Sequence, residues 1–290
     1  MRILVTGRNS QLSKSILKIV TQSKQHNEFI YIDKSELDFG DNTNINNYFS
    51  NNSFDVIINC AAYTLVDEAE NNPELQNQIN HVAVKKIADI AKQQNLKLIH
   101  ISTDYVFDGN SNAPYKETDT PAPINNYGNS KLSGECAIQS LMPNNAIIIR
   151  TSWLFSEYGN NFVDTILKLG TNRDNLKVVN DQIGSPTYAS DLARAIVTII
   201  YSVEFLKNTF TTNIYHYSNQ GQCSRFEFAK AIFSASGIRC DITPISTEKY
   251  PTLAKRPMYT VLNKDKIINT FNLDIPNWKE SLNNCIELIT

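Results

Sequence analysis

A tyrosine and a lysine four residues apart form the pattern with the clearest chemistry in this sequence. Tyr127 and Lys131 lie in a segment of helical character, so their i,i+4 spacing places both side chains on one face. A free tyrosine has a pKa of about 10 and is a poor acid–base catalyst at neutral pH unless its anion is stabilised. An ammonium group one turn away favours that anion and lowers the pKa of the tyrosine.

A threonine at the end of an upstream apolar strand supplies the third chemical group. The hydroxyl of Thr103 can hydrogen-bond a substrate carbonyl and hold it close to Tyr127. A YxxxK pattern alone is common by chance. Its position downstream of a strand-end hydroxyl, in a chain that opens with a strand and a glycine turn, favours catalysis. We therefore predict that Tyr127, Lys131 and Thr103 are the catalytic residues of a carbonyl reductase.

The glycine turn follows the first strand and opens a helix, as a phosphate-binding turn does. Gly7 is followed by Ser10 and Ser13 at regular spacing, and small residues let the backbone approach a pyrophosphate at the helix N-terminus. Serine at position 10 costs stability if the turn needs a positive φ there. An ordinary strand-to-helix turn is the alternative. We predict cofactor contacts at Gly7, Ser10, Gln11 and Leu12.

Charged and aromatic residues after the second strand give conflicting signals about the cofactor. Asp33 can accept hydrogen bonds from an adenosine ribose, which favours NAD, whereas Arg8 can face a 2′-phosphate, which favours NADP. Solvated surface charges are the alternative for both residues. Asp38 and Phe39 can contact the edge and face of an adenine, although such a pair is more often a simple loop. Both NADPH and NADH therefore remain candidate cofactors.

Small residues also follow the third strand. Ala61 and Ala62, with Tyr63 after them, let a cofactor backbone pass closely, although helix–sheet packing explains small residues equally well. We include all three positions among the predicted cofactor contacts.

Short apolar runs alternate with amphipathic segments over the first half of the chain. The runs at 3–5, 29–32, 56–59, 98–102 and 146–150 read as strands, and the segments 13–23, 74–94 and 127–140 read as helices. Strands joined by helices predict right-handed crossovers and a parallel sheet covered on both faces. The predicted fold class is α/β, a Rossmann-like doubly wound parallel sheet with a smaller C-terminal α/β substrate-binding lobe.

The alternation weakens after residue 150. A helix at 190–201 and a returning strand at 214–217 complete the predicted sheet, and helices at 225–236 and 278–289 form the smaller lobe. Residues 1–152 plus about 185–218 are the predicted NAD(P)-binding domain, and about 153–184 plus 219–290 the substrate-binding lobe. The asparagine-rich stretches 42–47 and 51–52 read as surface loops.

Composition excludes several classes of function. The net charge is −2 without a basic stripe, which argues against a nucleic-acid partner. The five cysteines are scattered without a CxxC pair, which predicts reduced thiols and a cytoplasmic protein. No apolar run approaches membrane-spanning length, so no membrane partner is expected.

Seven segments in order along the chain carry a resemblance to a known family. They are 59–70 (NCAAYTLVDEAE), 102–109 (STDYVFDG), 126–135 (NYGNSKLSGE), 150–155 (RTSWLF), 160–162 (NNF), 180–187 (NDQIGSPT) and 254–257 (AKRP). Together they resemble the dTDP-4-dehydrorhamnose reductases, which are extended short-chain dehydrogenases, over essentially the whole chain. The resemblance implies hydride transfer from NADPH or NADH to C4 of dTDP-4-dehydro-L-rhamnose, a small nucleotide-sugar substrate.

The resemblance also assigns roles to individual residues. Tyr127 becomes the general acid, Lys131 lowers its pKa and binds the nicotinamide ribose, and Thr103 polarises the carbonyl. On the substrate side, Trp153 packs against the deoxysugar, and Asp104 and Tyr105 line the sugar pocket. Asn161, Gln182 and Arg256 become candidates for the nucleotide portion. The alternatives are a core aromatic for Trp153 and an ion pair for Arg256.

Two departures from the family pattern stand out. The second and third glycines of the turn are Ser10 and Ser13, which puts ordinary cofactor affinity in doubt. Some relatives hold a magnesium ion between subunits with an acidic residue in the first helix. The matching position here is Ser15, so no metal is expected, and monomer and homodimer both stay open.

Two other functions compete with the reductase. A protein similar to the regulatory beta subunit of methionine adenosyltransferase keeps this fold and binds a partner without turnover, which fits a degenerate glycine turn. A nucleotide-sugar epimerase or dehydratase retains its oxidised cofactor and returns the hydride to the same sugar. A dehydratase also adds a carboxylate acid–base pair, which Asp104 followed by Tyr105 does not supply.

Overall fold

The computed structural model describes residues 1–23 and 27–290. The strands are β1 (Arg2–Thr6), β2 (Glu28–Ile32), β3 (Val56–Asn59), β4 (Lys97–Thr103), β5 (Ala146–Thr151), β6 (Leu154–Phe155), β7 (Asn175–Val179), β8 (Ile183–Gly184), β9 (Thr187–Tyr188), β10 (Asn213–Tyr217), β11 (Cys223–Ser224) and β12 (Asp241–Ile245). The helices are α1 (Gln11–Gln22), α2 (Asn42–Asn51), α3 (Glu68–Asn71), α4 (Pro73–Asn77), α5 (Ala83–Gln93), α6 (Asn126–Leu141), α7 (Phe162–Asn172), α8 (Ala189–Ile200), α9 (Val203–Leu206), α10 (Arg225–Ser236), α11 (Asp265–Phe271) and α12 (Trp278–Glu287). Among these described residues, no helix is both long and apolar enough to cross a membrane.

The central sheet has six parallel strands in the order β10-β5-β4-β3-β1-β2. Strand β2 lies on one side of β1, and β3, β4, β5 and β10 follow one another on the other side. The strand order therefore reverses at β1. In open parallel sheets the crevice at such a reversal is the place where ligands bind. The predicted Rossmann-like parallel sheet is confirmed, and the carboxyl ends of β1 and β3 are the edge to examine.

Both faces of the sheet are covered, which explains why its strands are apolar at consecutive positions. In β1, Ile3 and Val5 pack in one cluster with Ile16 of α1. Leu4 points to the opposite face and packs in a second cluster with Ile87 of α5. Consecutive side chains of a strand alternate between faces, so a strand buried on both sides needs apolar residues at every position.

A third cluster of buried apolar residues lies outside the sheet. Phe155, Val163, Phe228, Trp278 and Leu282 form its centre and come from β6, α7, α10 and α12. We propose that this cluster is the core of the substrate-binding lobe, with the boundaries predicted from the sequence.

One helix of the segment 219–290 nevertheless packs on the sheet rather than in the third cluster. Ile267 and Phe271 of α11 belong to the first cluster, against the face that α1 and α8 also cover. The boundary predicted from the sequence therefore assigns α11 to the smaller lobe, whereas α11 packs on the central sheet.

The asparagine-rich segment forms helix α2 instead of the predicted surface loop. The Asp41 carboxylate caps the helix by accepting hydrogen bonds from the backbone N–H groups of Thr43 and Asn44. Ile45 and Phe49, four residues apart, are both buried. Asparagine is a weak helix former, so the composition indicated a loop. The burial of Ile45 and Phe49 on one face nevertheless stabilises the helix.

Candidate active site

A cleft of about 470 Å³ opens at the carboxyl ends of the central strands. The three predicted catalytic residues, Thr103, Tyr127 and Lys131, all line it. Seven other predicted site residues line the same cleft: Ser10, Gln11, Leu12, Ala62, Asp104, Tyr105 and Trp153. The structure therefore brings together side chains from five separate stretches of sequence at the edge that the topology singles out.

Helix α6 carries the tyrosine and lysine into the cleft, and its first turn is fixed by two residues. Asn125 caps the helix by accepting a hydrogen bond from the N–H of Gly128 at 2.8 Å. A Cβ at position 128 would overlap the backbone carbonyl of Tyr105. Glycine directly after Tyr127 is thus what lets α6 pack against the segment that follows Thr103.

The side chains of Thr103 and Tyr127 both line the cleft. Burial raises the pKa of Tyr127 well above its ordinary value, the hydroxyl of Thr103 lowers it, and Asp104 raises it further. Tyr127 is therefore protonated at neutral pH. That state suits a group that must give a proton to a carbonyl oxygen.

Lys131 is buried behind Tyr127 and is held by the strand beside it. Its Nζ donates to the backbone carbonyl of Ile101 at 2.7 Å and lies 3.2 Å from Nε2 of His100. Burial lowers the pKa of Lys131 to about 8, and the charge of Glu135 opposes that shift. The ammonium form still prevails at neutral pH. Its predicted effect on the pKa of Tyr127 stays a prediction for the complex with cofactor.

His100 belongs to the site but was missed from the sequence. Its Nδ1 lies 3.0 Å from Nδ2 of Asn59, whose Oδ1 accepts a hydrogen bond from the hydroxyl of Thr6. Burial lowers the pKa of His100 well below its ordinary value, so the ring is neutral. A single histidine inside an otherwise apolar strand was the available signal, because a buried polar ring requires partners.

The glycine turn approaches the end of β3 closely. Gly7 has φ +72°, and a Cβ there would lie 3.1 Å from the backbone nitrogen of Ala61. Both the backbone conformation and the lack of space require glycine. The turn therefore packs directly against the end of β3, just before the N-terminus of α1.

Ser10 does not adopt a positive φ. Its φ is −70° and its ψ 156°, and its hydroxyl caps α1 by accepting a hydrogen bond from the N–H of Ser13 at 3.2 Å. The strain considered for this position is therefore absent. Serine is a preferred capping residue, so the departure from the glycine pattern has a structural reason.

We expect Ser10→Gly to leave the affinity for NADPH within about twofold of the wild-type value, because glycine tolerates the same backbone conformation. The free energy of unfolding should fall by roughly a few tenths of a kcal/mol, because glycine removes the side-chain cap. Ser10→Ala is the matched variant, with an expected loss of about 1 kcal/mol. Fluorescence titration with NADPH and chemical unfolding measure the two quantities. Tenfold tighter NADPH binding in Ser10→Gly would contradict the capping role.

The residues after β2 are engaged with one another. Arg8 donates to Glu36 at 2.6 Å and lies 3.7 Å from Asp33. The hydroxyl and backbone N–H of Ser35 lower the pKa of Asp33. The two side chains that gave opposite signals about the cofactor are thus neighbours, so their geometry alone favours neither NADH nor NADPH.

Two of the predicted adenine contacts occupy different environments. Asp38 accepts a hydrogen bond from the N–H of Gly40 at 2.7 Å at the surface. The ring of Phe39 is only 5% exposed and packs in the second core cluster. The ring is thus stabilised by burial against α2 and α5, and its contact with an adenine stays a prediction.

The residues after β3 are partly fixed by the framework. The N–H of Ala61 donates to the hydroxyl of Thr6 at 3.2 Å, and Ala62 faces the cleft. The N–H of Tyr63 donates to the side chain of Asn80 at 2.9 Å. Ala62 is thus the member of this group that lines the cleft, and cofactor contacts for all three stay a prediction.

The backbone of Trp153 is held in the left-handed region, with φ +46°. A positive φ is uncommon for a bulky residue and is tolerated where the surrounding structure requires it. The indole lines the same cleft as Tyr127 and stacks on Phe228 of the third cluster at 6.4 Å between ring centres. Trp153 therefore joins the wall of the cleft to the core of the smaller lobe.

Asp104 and Tyr105 face the cleft from the turn after β4. Burial raises the pKa of Asp104 to about 6, against the hydroxyl groups of Thr260 and Thr103, which lower it. The ring of Tyr105 meets that of Tyr127 edge to face, with ring centres 5.8 Å apart. Both side chains therefore lie beside Tyr127 in the cleft.

A second cleft of about 460 Å³ adjoins the smaller lobe, and Gln182 and Arg256 line it. Arg256 forms a two-pronged ion pair with Asp67, with 2.6 Å between Nη2 and Oδ2. The pair joins the loop after β3 to the C-terminal segment. Arg256 is thus both in the predicted nucleotide cleft and in the ion pair that was its alternative.

Asn161 lines neither of the two clefts. Its Oδ1 caps α7 by accepting from the N–H of Val163 at 2.9 Å, and its Nδ2 donates to Gln11 at 3.0 Å. The amide therefore holds the smaller lobe against the turn at the start of α1. Both ends of the amide thus have partners within the chain, and its contact with the nucleotide stays a prediction.

Two further features lie apart from this chemistry. The described surface also has a larger open cleft of about 700 Å³ between α10 and α12, but no predicted catalytic residue lines it. Within residues 1–23 and 27–290, no group of three or more acidic, histidine or cysteine side chains is arranged to hold a metal ion. The hydroxyl of Ser15 donates to the carbonyl of Gln11 at 2.9 Å.

The parallel sheet, the turn before α1 and the Thr103, Tyr127 and Lys131 group define an extended short-chain dehydrogenase/reductase. The family model described as RmlD substrate binding domain matches residues 1–290, and the chain belongs to this family. A dTDP-4-dehydrorhamnose reductase from Aggregatibacter actinomycetemcomitans is 39% identical over 289 residues, covering 98% of this chain and 97% of the relative.

Two solved structures are similar over the whole fold. A dTDP-4-dehydrorhamnose reductase from Clostridium acetobutylicum superimposes with a TM-score of 0.92 at 39% identity, covering 100% of this chain and 99% of the other. A dTDP-4-dehydrorhamnose reductase from Bacillus anthracis in complex with NADP has a TM-score of 0.91 at 38% identity, covering 99% and 98%. The resemblance drawn from the sequence motifs is confirmed.

Proposed function

We propose that this protein reduces the C4 keto group of dTDP-4-dehydro-L-rhamnose with NADPH or NADH and releases dTDP-L-rhamnose. The observation that carries the proposal is the convergence of Thr103, Tyr127 and Lys131 on one cleft at the sheet edge. The relatives named above are dTDP-4-dehydrorhamnose reductases, and one of them was solved with NADP. A nucleotide sugar is accordingly the substrate class, and the chain is an oxidoreductase.

The residues at the cleft fit a nicotinamide cofactor. A Cβ at Gly7 would press on the backbone of Ala61, so glycine lets the turn pack against the end of β3. The turn leads into the N-terminus of the twelve-residue helix α1, where backbone N–H groups suit a pyrophosphate. Gly7, Ser10, Gln11 and Leu12 would hold the pyrophosphate, and Lys131 the nicotinamide ribose. When bound, the reduced cofactor supplies the hydride that the keto carbon accepts.

The protein's own part in the reaction is positioning and proton transfer. The hydroxyl groups of Thr103 and Tyr127 hydrogen-bond the C4 oxygen of the substrate, polarise the carbonyl and fix its orientation. Tyr127 gives its proton to that oxygen as negative charge develops there. The ammonium group of Lys131, one turn along α6, stabilises the resulting phenolate until Tyr127 regains a proton from solvent.

Loss of NADPH absorbance on addition of enzymatically generated dTDP-4-dehydro-L-rhamnose tests this function, with a parallel assay in NADH. We expect stoichiometric oxidation, and the ratio of the two rates gives the cofactor preference. The same assay with a UDP-linked 4-keto-6-deoxysugar measures the contribution of the nucleotide. No oxidation of either cofactor, in a protein that binds NADPH, would sink the proposal.

The competing functions predict different outcomes in the same assay. A regulatory subunit would bind NADPH without turnover. An epimerase would convert the sugar without net loss of NADPH absorbance. The presence of all three predicted catalytic side chains in one cleft favours turnover, and release of the oxidised cofactor distinguishes a net reductase from an epimerase.

Two further properties stay proposals. We propose a cytoplasmic location, which the scattered cysteines and the biosynthetic reaction support. We also propose that the protein is either a monomer or a homodimer. Light scattering of the purified protein distinguishes the two assembly states.

A further inference from the structure

Arg225, the first residue of α10, lies where the two clefts meet. It lines both the cleft that contains Tyr127 and the cleft that contains Arg256. Its guanidinium carbon sits 3.6 Å from the ring centre of Trp153 and 5.2 Å from that of Phe162. A guanidinium stacked on an indole at this distance has its plane fixed by the ring.

Arg225 forms no salt bridge within residues 1–23 and 27–290. The side chain is half-buried, and burial lowers its pKa while the nearby Tyr105 and Asp104 side chains oppose that shift. Within the described parts of the chain, no carboxylate lies within 4.0 Å of its guanidinium nitrogens. The neighbouring Asp104 carboxyl accepts a hydrogen bond from the hydroxyl of Thr103 at Oδ1, at 3.1 Å, whereas its buried Oδ2 has no partner among the described residues.

The other two arginines in comparable surroundings are already compensated. Arg256 is paired with Asp67 at 2.6 Å, and Arg150 is paired with Glu135 at 2.7 Å. A partly desolvated cation without such a partner is stabilised by an anionic ligand. Lys177 and Arg256 line the second cleft along with Arg225, against one carboxylate, so the cleft as a whole attracts negative charge.

We propose that Arg225 binds the diphosphate of the nucleotide sugar at the junction of the two clefts, with the sugar on the Tyr127 side and the nucleoside on the Gln182 side. The inference rests on the proposed function and adds to it a specific anchor. A planar guanidinium donates hydrogen bonds in pairs and so matches phosphate oxygens. Since Arg225 covers one face of Trp153, the remaining surface of the indole is what the deoxysugar can contact.

The test compares the binding of dTDP and of thymidine, which lacks the phosphates, by calorimetry in wild-type protein, Arg225→Gln and Arg225→Lys. Arg239→Gln, at an exposed position in the same lobe, removes one positive charge elsewhere as a matched control. We expect Arg225→Gln to weaken dTDP binding by roughly 10- to 100-fold, the scale of a hydrogen bond to a charged group. Thymidine and NADPH affinities should stay within about twofold.

Arg225→Lys keeps the charge without the paired donors, so we expect an intermediate loss for dTDP, and this variant protects the test against misfolding in Arg225→Gln. Wild-type affinity for dTDP in Arg225→Gln would overturn the assignment of Arg225 and leave the reductase function intact. Equal weakening of dTDP and thymidine would also overturn it, because the residue would then act through packing. A wild-type protein that binds no dTDP would contradict the proposed function itself.

Discussion

Turnover of Tyr127→Phe is expected to fall by roughly 10²- to 10⁴-fold, the contribution typical of a positioned general acid. The substitution removes only the hydroxyl, which is the proton donor. Phenylalanine keeps the ring that meets Tyr105 edge to face. The N-terminus of α6 stays fixed by the Asn125 cap. Affinity for NADPH should therefore change by less than about threefold.

Steady-state consumption of NADPH and fluorescence titration of NADPH measure these two effects separately. Tyr201→Phe is the matched control, because it removes a phenolic hydroxyl that bonds Asn27 far from the cleft, and it should turn over normally. Retention of more than a tenth of wild-type turnover in Tyr127→Phe would show that the proton comes from another group. Loss of NADPH binding in parallel with turnover would instead assign Tyr127 a structural role.

The convergence of Thr103, Tyr127 and Lys131 on one cleft could be predicted from the sequence because the geometry is local. Tyr127 and Lys131 are one helical turn apart, and any helix places such a pair on one face. Thr103 ends an apolar run, and the end of a parallel strand lies at the ligand-binding edge of the sheet. Spacing and element type were sufficient here, without knowledge of the tertiary structure.

Residues whose roles depend on packing between distant segments could not be assigned in this way. Phe39 is predicted to contact an adenine, and the structure adds that its ring is buried in a core cluster with residues of α2, whose asparagines had indicated a loop. Asn161 is predicted to contact the nucleotide, and the structure adds that its side-chain amide caps α7. In both cases the sequence alone did not reveal the contacts that a nearby helix makes with the side chain.

Arg225 is a residue that the sequence did not indicate as part of a binding site. In the sequence it is an unremarkable basic residue after a serine that caps α10. Its position between two clefts arises because α10 packs against the segment that contains Trp153, more than 70 residues earlier. The sequence order therefore carries no signal for the junction, and only the fold reveals it.

A buried ion pair joins β5 to α6, the helix that carries Tyr127 and Lys131. Arg150 of β5 is 1% exposed and Glu135 of α6 is fully buried, and the guanidinium donates to both carboxylate oxygens, at 3.0 Å and 2.7 Å. Ser102, the neighbour of Thr103 on β4, donates its hydroxyl to the same carboxylate. The carboxylate thus fixes α6 to β4, and with it Tyr127 to Thr103.

Removing the cation from this pair should reduce the free energy of unfolding more than the substitutions of Ser10 or Lys168. Arg150→Met is expected to reduce the free energy of unfolding by about 3–5 kcal/mol, because the Glu135 carboxylate is left buried without its partner. The double variant Arg150→Met with Glu135→Leu should lose markedly less, since replacing both members by apolar residues of similar volume avoids the uncompensated charge.

Chemical unfolding of both variants measures these free energies, with Lys168→Met as the matched control. Lys168 pairs with Asp164 at 2.8 Å on the exposed face of α7, and such a surface pair contributes about 0–1 kcal/mol. A loss below about 1 kcal/mol in Arg150→Met would show that Glu135 finds other compensation. Equal losses in the single and double variants would show that packing around Phe107, whose ring lies 5.1 Å from the guanidinium carbon, matters more than the charge.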